Sequence, residues 1–272
     1  MALWWSVAFV VGACVGSFLN VCIWRLPRDQ SIVRPRSRCP ACSHPIAWYD
    51  NIPLLSFALL GGRCRHCRGP IHWRYPLVEA LSGALAVAVL QRFGLTAVGV
   101  VYLLFVWVLV AISFIDLEHR IIPAELSMGG LVAGWILSGL FPQLHGAEHA
   151  LLGIGYAVFG SLIGAGLLYL TGSLGSFVFR KDAMGLGDVD LLAMAGAVLG
   201  WKLVTLTFFL APLLAVGPGL AVLAIKRSHE IPYGPFLSLG LIISLFAGKG
   251  LLQMTGIEET IRLLWFYAGT TP

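Results

Sequence analysis

Residues 149–179 read HALLGIGYAVFGSLIGAGLLYLTGSLGSFVF, without one Asp, Glu, Lys or Arg. An α-helix rises about 1.5 Å per residue, so about 20 apolar residues cross the ~30 Å hydrocarbon core of a bilayer. This stretch is long enough to do so. A second uncharged run, LVTLTFFLAPLLAVGPGLAVLAI at 203–225, repeats the signal. The rest of the chain agrees. Hydrophobic residues make up 58% of the 272 positions and charged residues 11%, where a soluble protein carries roughly 25% charged. The apolar runs are continuous rather than alternating, which selects helices and excludes a membrane β-barrel. The expected fold class is an all-α polytopic membrane protein.

Reading outward from 149–179 gives about eight transmembrane helices: 3–24, 77–91, 95–115, 126–142, 149–171, 188–201, 203–225 and about 235–255. Polar breaks fall at 116–123, 172–187 and 226–230. The expected organisation is helix 1 in 1–24, a polar domain in 25–76, a membrane core in 77–255 holding helices 2–8, and a partly amphipathic tail in 256–272. The opening MALWWSVAFVVGACVGSFLNVCIW lacks a basic n-region and a clear cleavage site, so it reads as an uncleaved first span.

The net charge of +5 does not point to nucleic acid, because of where the cations lie. Arg25, Arg28, Arg34, Arg36, Arg38, Arg63, Arg65, Arg68 and Arg74 crowd into one loop. Positive residues flank spans on the cytoplasmic side, so this loop is expected inside. With eight spans both termini then lie outside. Arg120, Arg180, Lys181, Lys226 and Arg227 fall inside with the nine arginines; only Arg92, Lys202, Lys249 and Arg262 fall outside. The arginine cluster is also suited to anionic lipid headgroups.

That topology puts two aspartates at the cytoplasmic ends of spans. Asp116 ends the run VWVLVAISFID, and Asp188 follows Gly185-Leu186-Gly187 in MGLGDVDLLAM. Each alone reads as a membrane-boundary residue, Asp188 also as a helix N-terminal acid. Two at matching depth suit an aspartyl protease pair. Neighbouring carboxylates cannot both ionise readily and share a proton. The ionised member takes a proton from water while its partner polarises the scissile carbonyl. Gly185 and Gly187 leave room for a substrate backbone beside Asp188.

The arginine-rich loop carries two CxxC knuckles, Cys39-Pro-Ala-Cys42 and Cys64-Arg-His-Cys67. Four thiolates on two such turns suit a structural zinc ion in a zinc-ribbon-like domain. A segment this small has little core of its own, so a metal would supply much of its folding energy. Redox-active dithiols and structural disulfides are the competing readings, the latter disfavoured in a cytosolic loop. His44, His66 and His72 read as solvated loop residues, and Cys14 and Cys22 as apolar filling of span 1.

Together these stretches resemble the type IV prepilin peptidases, membrane aspartyl proteases of the GxGD type. FIDLEHRIIP and MGLGDVDLLAMAGAVLGW resemble the family's paired motifs. GSFLNVCIWRLPR resembles its opening. CPACSHPIAWYDNIPLLSF and GRCRHCRGPIHWRYPLVE resemble its cytoplasmic domain, and IPYGPFLSLG its last cytoplasmic turn. The resemblance implies Asp116 and Asp188 as the catalytic pair. It implies a bacterial inner-membrane enzyme that cuts the leader from prepilins or pseudopilins, substrates of type IV pili and type II secretion. It implies a second activity too, methylation of the new N-terminal amine with S-adenosylmethionine, for which Glu79 is a candidate in holding the amine. Its partners are then prepilins and the lipid bilayer, not nucleic acid; the oligomeric state is left open. Glu118, Asp182, Asp190 and Glu230 are candidates for attracting basic leader residues. A proton- or cation-coupled transporter and a non-catalytic zinc-bearing scaffold are the alternative functions. Two positions depart from the family: Ala124 stands where Asp or Asn is common, and Asp190 where Lys is common.

Overall fold

The computed structural model describes residues 2–180, 184–226 and 232–254. Lys181, Asp182, Arg227, Glu230, Arg262 and the tail 256–272 lie outside the described residues.

Among the described residues the chain is helical, with no strand beyond two isolated bridges, Arg38 with Pro45 and Arg63 with Pro70. The helices are α1 (Ala2–Arg25), α2 (Leu55–Leu59), α3 (Arg74–Phe93), α4 (Ala97–His119), α5 (Ala124–Leu140), α6 (Ala150–Phe179), α7 (Leu186–Leu199), α8 (Trp201–Lys226) and α9 (Gly234–Met254). Six of them, α1, α3, α4, α6, α8 and α9, are long and apolar enough to cross a membrane. The fourth and sixth expected spans are shorter helices, α5 with 17 residues and α7 with 14. The fifth differs from expectation in its end. The polar break expected from 172 begins later, because α6 continues to Phe179. Its small polar residues satisfy themselves within the helix: Thr171 Oγ1 donates to Leu167 O at 2.7 Å, and Ser176 Oγ to Gly172 O at 2.9 Å. Such back-bonding lets Ser and Thr continue a helix in an apolar setting.

The chain forms two compact units, 1–130 and 131–272. In the first, α1 packs along α3, and α4 packs on both. The α1–α3 contact depends on small residues. A Cβ on Gly16 would lie 2.8 Å from Glu79 Cα, and one on Gly12 2.7 Å from Ala86 Cβ. This is the small-xxx-small spacing that lets membrane helices approach closely. Asn20 Nδ2 donates to Tyr75 O at 3.1 Å, and Trp107 Nε1 to Ser82 O at 3.2 Å. These bonds tie α1 and α4 to α3 where no water serves the backbone.

In the second unit α7 packs along α6, and α8 packs on α9 and α6. Gly160 of α6 and Gly196 of α7 meet backbone to backbone, with no room for a Cβ on either. Ser138 Oγ donates to Gly134 O at 2.7 Å, and His145 Nε2 lies 3.0 Å from both Ser138 Oγ and Ala197 O. These contacts fix the far end of α7, whose last nine residues are all buried.

Candidate functional site

The four cysteines come together. Each knuckle closes in the same way: Cys39 N–H donates to His44 O and Cys64 N–H to Gly69 O, at 2.9 and 2.8 Å. In each, the residue after the second cysteine turns left-handed, Ser43 at φ 57° and Arg68 at φ 60°. Each of these N–H groups bonds back to the carbonyl of its first cysteine. The two turns face each other, and all four sulfurs lie within 4.8 Å of one another. Cys39 Sγ and Cys67 Sγ are 3.9 Å apart. A tetrahedral zinc with Zn–S of about 2.3 Å sets its sulfurs about 3.8 Å apart. All six cysteines are free, so the donor set is four thiols rather than a disulfide pair, and it fits a tetrahedral metal.

The clustered thiols perturb one another's ionisation. N–H groups of Cys67 and His66 pull the Cys64 thiol down to about 7. The His44 N–H favours the Cys42 thiolate, but desolvation and the Cys39 and Cys67 sulfurs outweigh it and push that thiol up to about 11. Four sulfurs this close cannot all ionise without a cation between them. Around them His44 and His66 stack at 4.3 Å. Arg65 grips Asp50 with both Nε and Nη2, which holds its carboxyl below the usual carboxylate range. That pair ties the second knuckle to the turn at Trp48–Asn51.

Glu79 sits in the second turn of α3, 8% exposed. Its Oε2 accepts the Leu54 N–H at 2.8 Å, and the Ser17 hydroxyl lies beside the same carboxylate. Leu54 holds a left-handed backbone, φ 60° and ψ −47°. A branched residue there stores strain of about 1–3 kcal/mol. Glu79 is thus committed to the loop above it, a tie that residue spacing did not reveal.

Asp116 lies in the last turn of α4 and is 6% exposed. The helix ends at Arg120, left-handed at φ 56°, whose N–H bonds to Asp116 O at 2.9 Å. Two side chains anchor this end from outside. Arg74 Nη1 pairs with Glu118, and Arg28 Nη1 reaches His119 Nε2 at 3.4 Å.

Asp188 belongs to the second unit, in the first turn of α7. Gly185 precedes the helix in extended backbone, φ −74° and ψ 142°, and Gly187 lies inside the first turn. Neither is left-handed, so their value is lack of bulk rather than a special φ. A Cβ on Gly185 would stand 3.7 Å from Asp188 Oδ2. Tyr233, just before α9, is pushed up to about 12 by burial and by the charge of Asp188. The sequence reading assigned Tyr233 no role. Its signal was only the YGP that opens the last helix.

Comparison with known proteins follows this layout. Residues 10–93 match the bacterial peptidase A24 N-terminal domain, and residues 103–220 match the type IV leader peptidase family. The chain belongs to the type IV leader peptidase family. The family match over 103–220 contains both Asp116 and Asp188, and the N-terminal match contains the four cysteines and Glu79. Among relatives, a prepilin leader peptidase/N-methyltransferase of Aeromonas hydrophila is 35% identical over 92% of this chain and 93% of its own length. One of Pseudomonas aeruginosa is 36% identical over the same shares. One of Myxococcus xanthus is 49% identical over 71% of this chain, which spans 56% of that relative's length. No solved structure matches. The expected family and helical membrane fold are therefore borne out.

Proposed function

We propose that this leader peptidase family member is an aspartic endopeptidase of the bacterial inner membrane. It removes the leader of type IV prepilins or pseudopilins at the cytoplasmic face and then N-methylates the new N-terminus. The observation that carries the reading is Asp116. It is a nearly buried carboxylate in the last turn of a helix that carries no charge before it, within the same family match as Asp188. An intramembrane acid is costly and is retained where it functions.

In this mechanism Asp116 and Asp188 share one proton. The ionised carboxylate takes a proton from water as its oxygen attacks the scissile carbonyl. The protonated one donates to the carbonyl oxygen, and the proton then passes to the leaving amine. Gly185 and Gly187 leave the substrate backbone space beside Asp188. The apolar helix of the prepilin enters from lipid, while its basic leader stays in water. Cys39, Cys42, Cys64 and Cys67 would hold a structural zinc, which supplies folding energy to a domain with little core. Glu79 serves the methyl transfer, for which S-adenosylmethionine is the donor.

The test is leader cleavage in membranes by Asp116→Asn and Asp188→Asn. Each is expected to lose activity by about 10²-fold or more. Cleavage by either at the unmodified rate would refute the pair.

A further inference from the structure

Within the first unit, the loop between α1 and α3 turns apolar side chains outward around α2. The turn Trp48–Asn51 and α2 pack together as one short tab. Ser56 ties them, its Oγ donating to Tyr49 O at 2.9 Å and its N–H to Ile52 O at 3.0 Å. For a segment in water, the sides of α2 are reversed. Its buried residue is Ser56, whereas Leu55 is 51% exposed and Leu59 77%. These leucines are four apart and share one face of the helix. Trp48, in the adjoining turn, is 81% exposed. Exposed apolar residues scattered singly need no explanation, but an apolar face turned out over a buried serine marks a surface that something covers.

The depth of this tab is set by α3. Trp73 stands just before that helix and is exposed, and Leu77 and Leu81 continue an exposed stripe at intervals of four. α3 is long and apolar enough to cross a membrane, so the stripe faces lipid and Trp73 marks the headgroup level, where tryptophan collects. Glu79 lies six residues beyond Trp73, about 9 Å along the axis. Its side chain tilts back toward the helix start, and its Oε2 accepts the Leu54 N–H at 2.8 Å. α2 begins at the next residue. The tab is therefore bonded to a spanning helix at the boundary between water and lipid. The charges suit that place. Asp50 is the only acid in 30–78, and Arg65 neutralises it through Nε and Nη2. Arg63 and Arg68, both exposed, follow α2 closely in the chain.

We propose that the tab 48–59 is seated in the phospholipid leaflet on its own side of the membrane. Leu55 and Leu59 enter the acyl boundary, Trp48 lies among the headgroups, and Arg63 and Arg68 face the phosphates. Segments that lie in this interface bury an apolar face about 5–10 Å into the boundary and keep their cations in the headgroup layer. A five-residue helix is too short to hold there alone. Here the chain and the Glu79 bond keep it at the surface, so its insertion is an intramolecular step at high effective concentration. A protein partner reaches this face only by displacing lipid that already stands at that depth. The Asp50–Arg65 pair joins the tab to the second cysteine knuckle. A seated tab thus fixes the height of the four-cysteine cluster over the bilayer. This inference does not depend on the peptidase or methyltransferase reading.

The experiment uses the full chain in nanodiscs of phosphatidylcholine and phosphatidylglycerol. Part of the lipid carries a diazirine on the acyl chain close to the headgroup, and a water-soluble diazirine serves as the opposite reagent. In the unmodified chain, the peptide holding 48–59 is expected to take the lipid label as readily as the peptide holding 73–81, and to take little of the aqueous one. Leu55→Asp combined with Leu59→Asp should cut the lipid label on 48–59 about tenfold or more and leave that on 73–81 unchanged. Aqueous label without lipid label on 48–59 of the unmodified chain overturns the proposal, whatever the variant does. Little label from either reagent overturns it in favour of contact with a second copy. Aqueous label that disappears only when a prepilin is added overturns it in favour of a substrate dock. Undiminished lipid label in the double variant overturns the role of the two leucines.

Discussion

Arg74 at the start of α3 pairs with Glu118 at the end of α4, two residues beyond Asp116. The pair is lopsided. Arg74 is 4% exposed and its Nε has no partner, whereas the Glu118 side chain keeps 32% exposure. Removing the carboxylate strands a buried cation, while removing the arginine leaves an acid that water still reaches. Breaking a fully buried pair costs about 3–5 kcal/mol. The exposure of Glu118 reduces this, so Glu118→Ala is expected to cost about 2 kcal/mol and Arg74→Met about 1. Thermal unfolding of the detergent-solubilised variants measures both. The reverse order would mean that the pair is not desolvated as its geometry implies.

Zinc in the four-cysteine cluster is expected to follow the thiolates. Metal analysis of purified protein should find about one zinc per chain, and much less in Cys39→Ser. Protons compete for the same sulfurs, so acidification and strong chelators should both release it. Release should expose the 26–73 segment to protease before the helices are cut. Equal metal in the two proteins would remove the zinc assignment.

Tyr233 gives a pH dependence with a defined sign. Its folded pKa is raised, to about 12, by burial first and by Asp188 second. The unfolded phenol ionises near pH 10. This group therefore contributes full stability below about pH 10 and loses it as pH rises toward 12. Tyr233→Phe cannot ionise, so its stability should fall less steeply across that window. The same variant removes a phenol near Asp188. If that phenol supports the ionised carboxylate, the acid limb of cleavage moves to higher pH in Tyr233→Phe. An acid limb that stays in place would leave Tyr233 a packing residue only.

Sequence patterns reached unevenly into this molecule. Long apolar runs announce α4 and α8 because a membrane leaves few other structures possible. The cysteine cluster was legible because metal geometry fixes local spacing. The end of α6 was misjudged because Gly172, Ser173, Gly175 and Ser176 look like a break, yet Ser176 can satisfy itself inside a helix. The Leu54–Glu79 bond, the bonds from the Arg25 guanidinium to Ser31 O and Pro35 O, and the nearness of Tyr233 to Asp188 join residues with no periodic relation. Only folding brings those groups together, so no spacing rule discloses them.

Asp190 remains the departure from the family pattern closest to the proposed chemistry. It stands two residues after Asp188 on α7, and both are half-buried. Residues i and i+2 on a helix point about 200° apart and do not face each other. Asp190 therefore faces away from Asp188 across the helix, and a charge there acts on Asp188 only at longer range. Asp190→Lys adds a positive charge on that far side and should leave the pH profile of cleavage nearly unchanged. Asp190→Asn should keep its rate within about twofold, the small change expected when no direct pair is broken. If Asp190→Lys moves the acid limb clearly to lower pH, the new cation is reaching Asp188. Asp190 would then be a residue that sets the working pH of the enzyme.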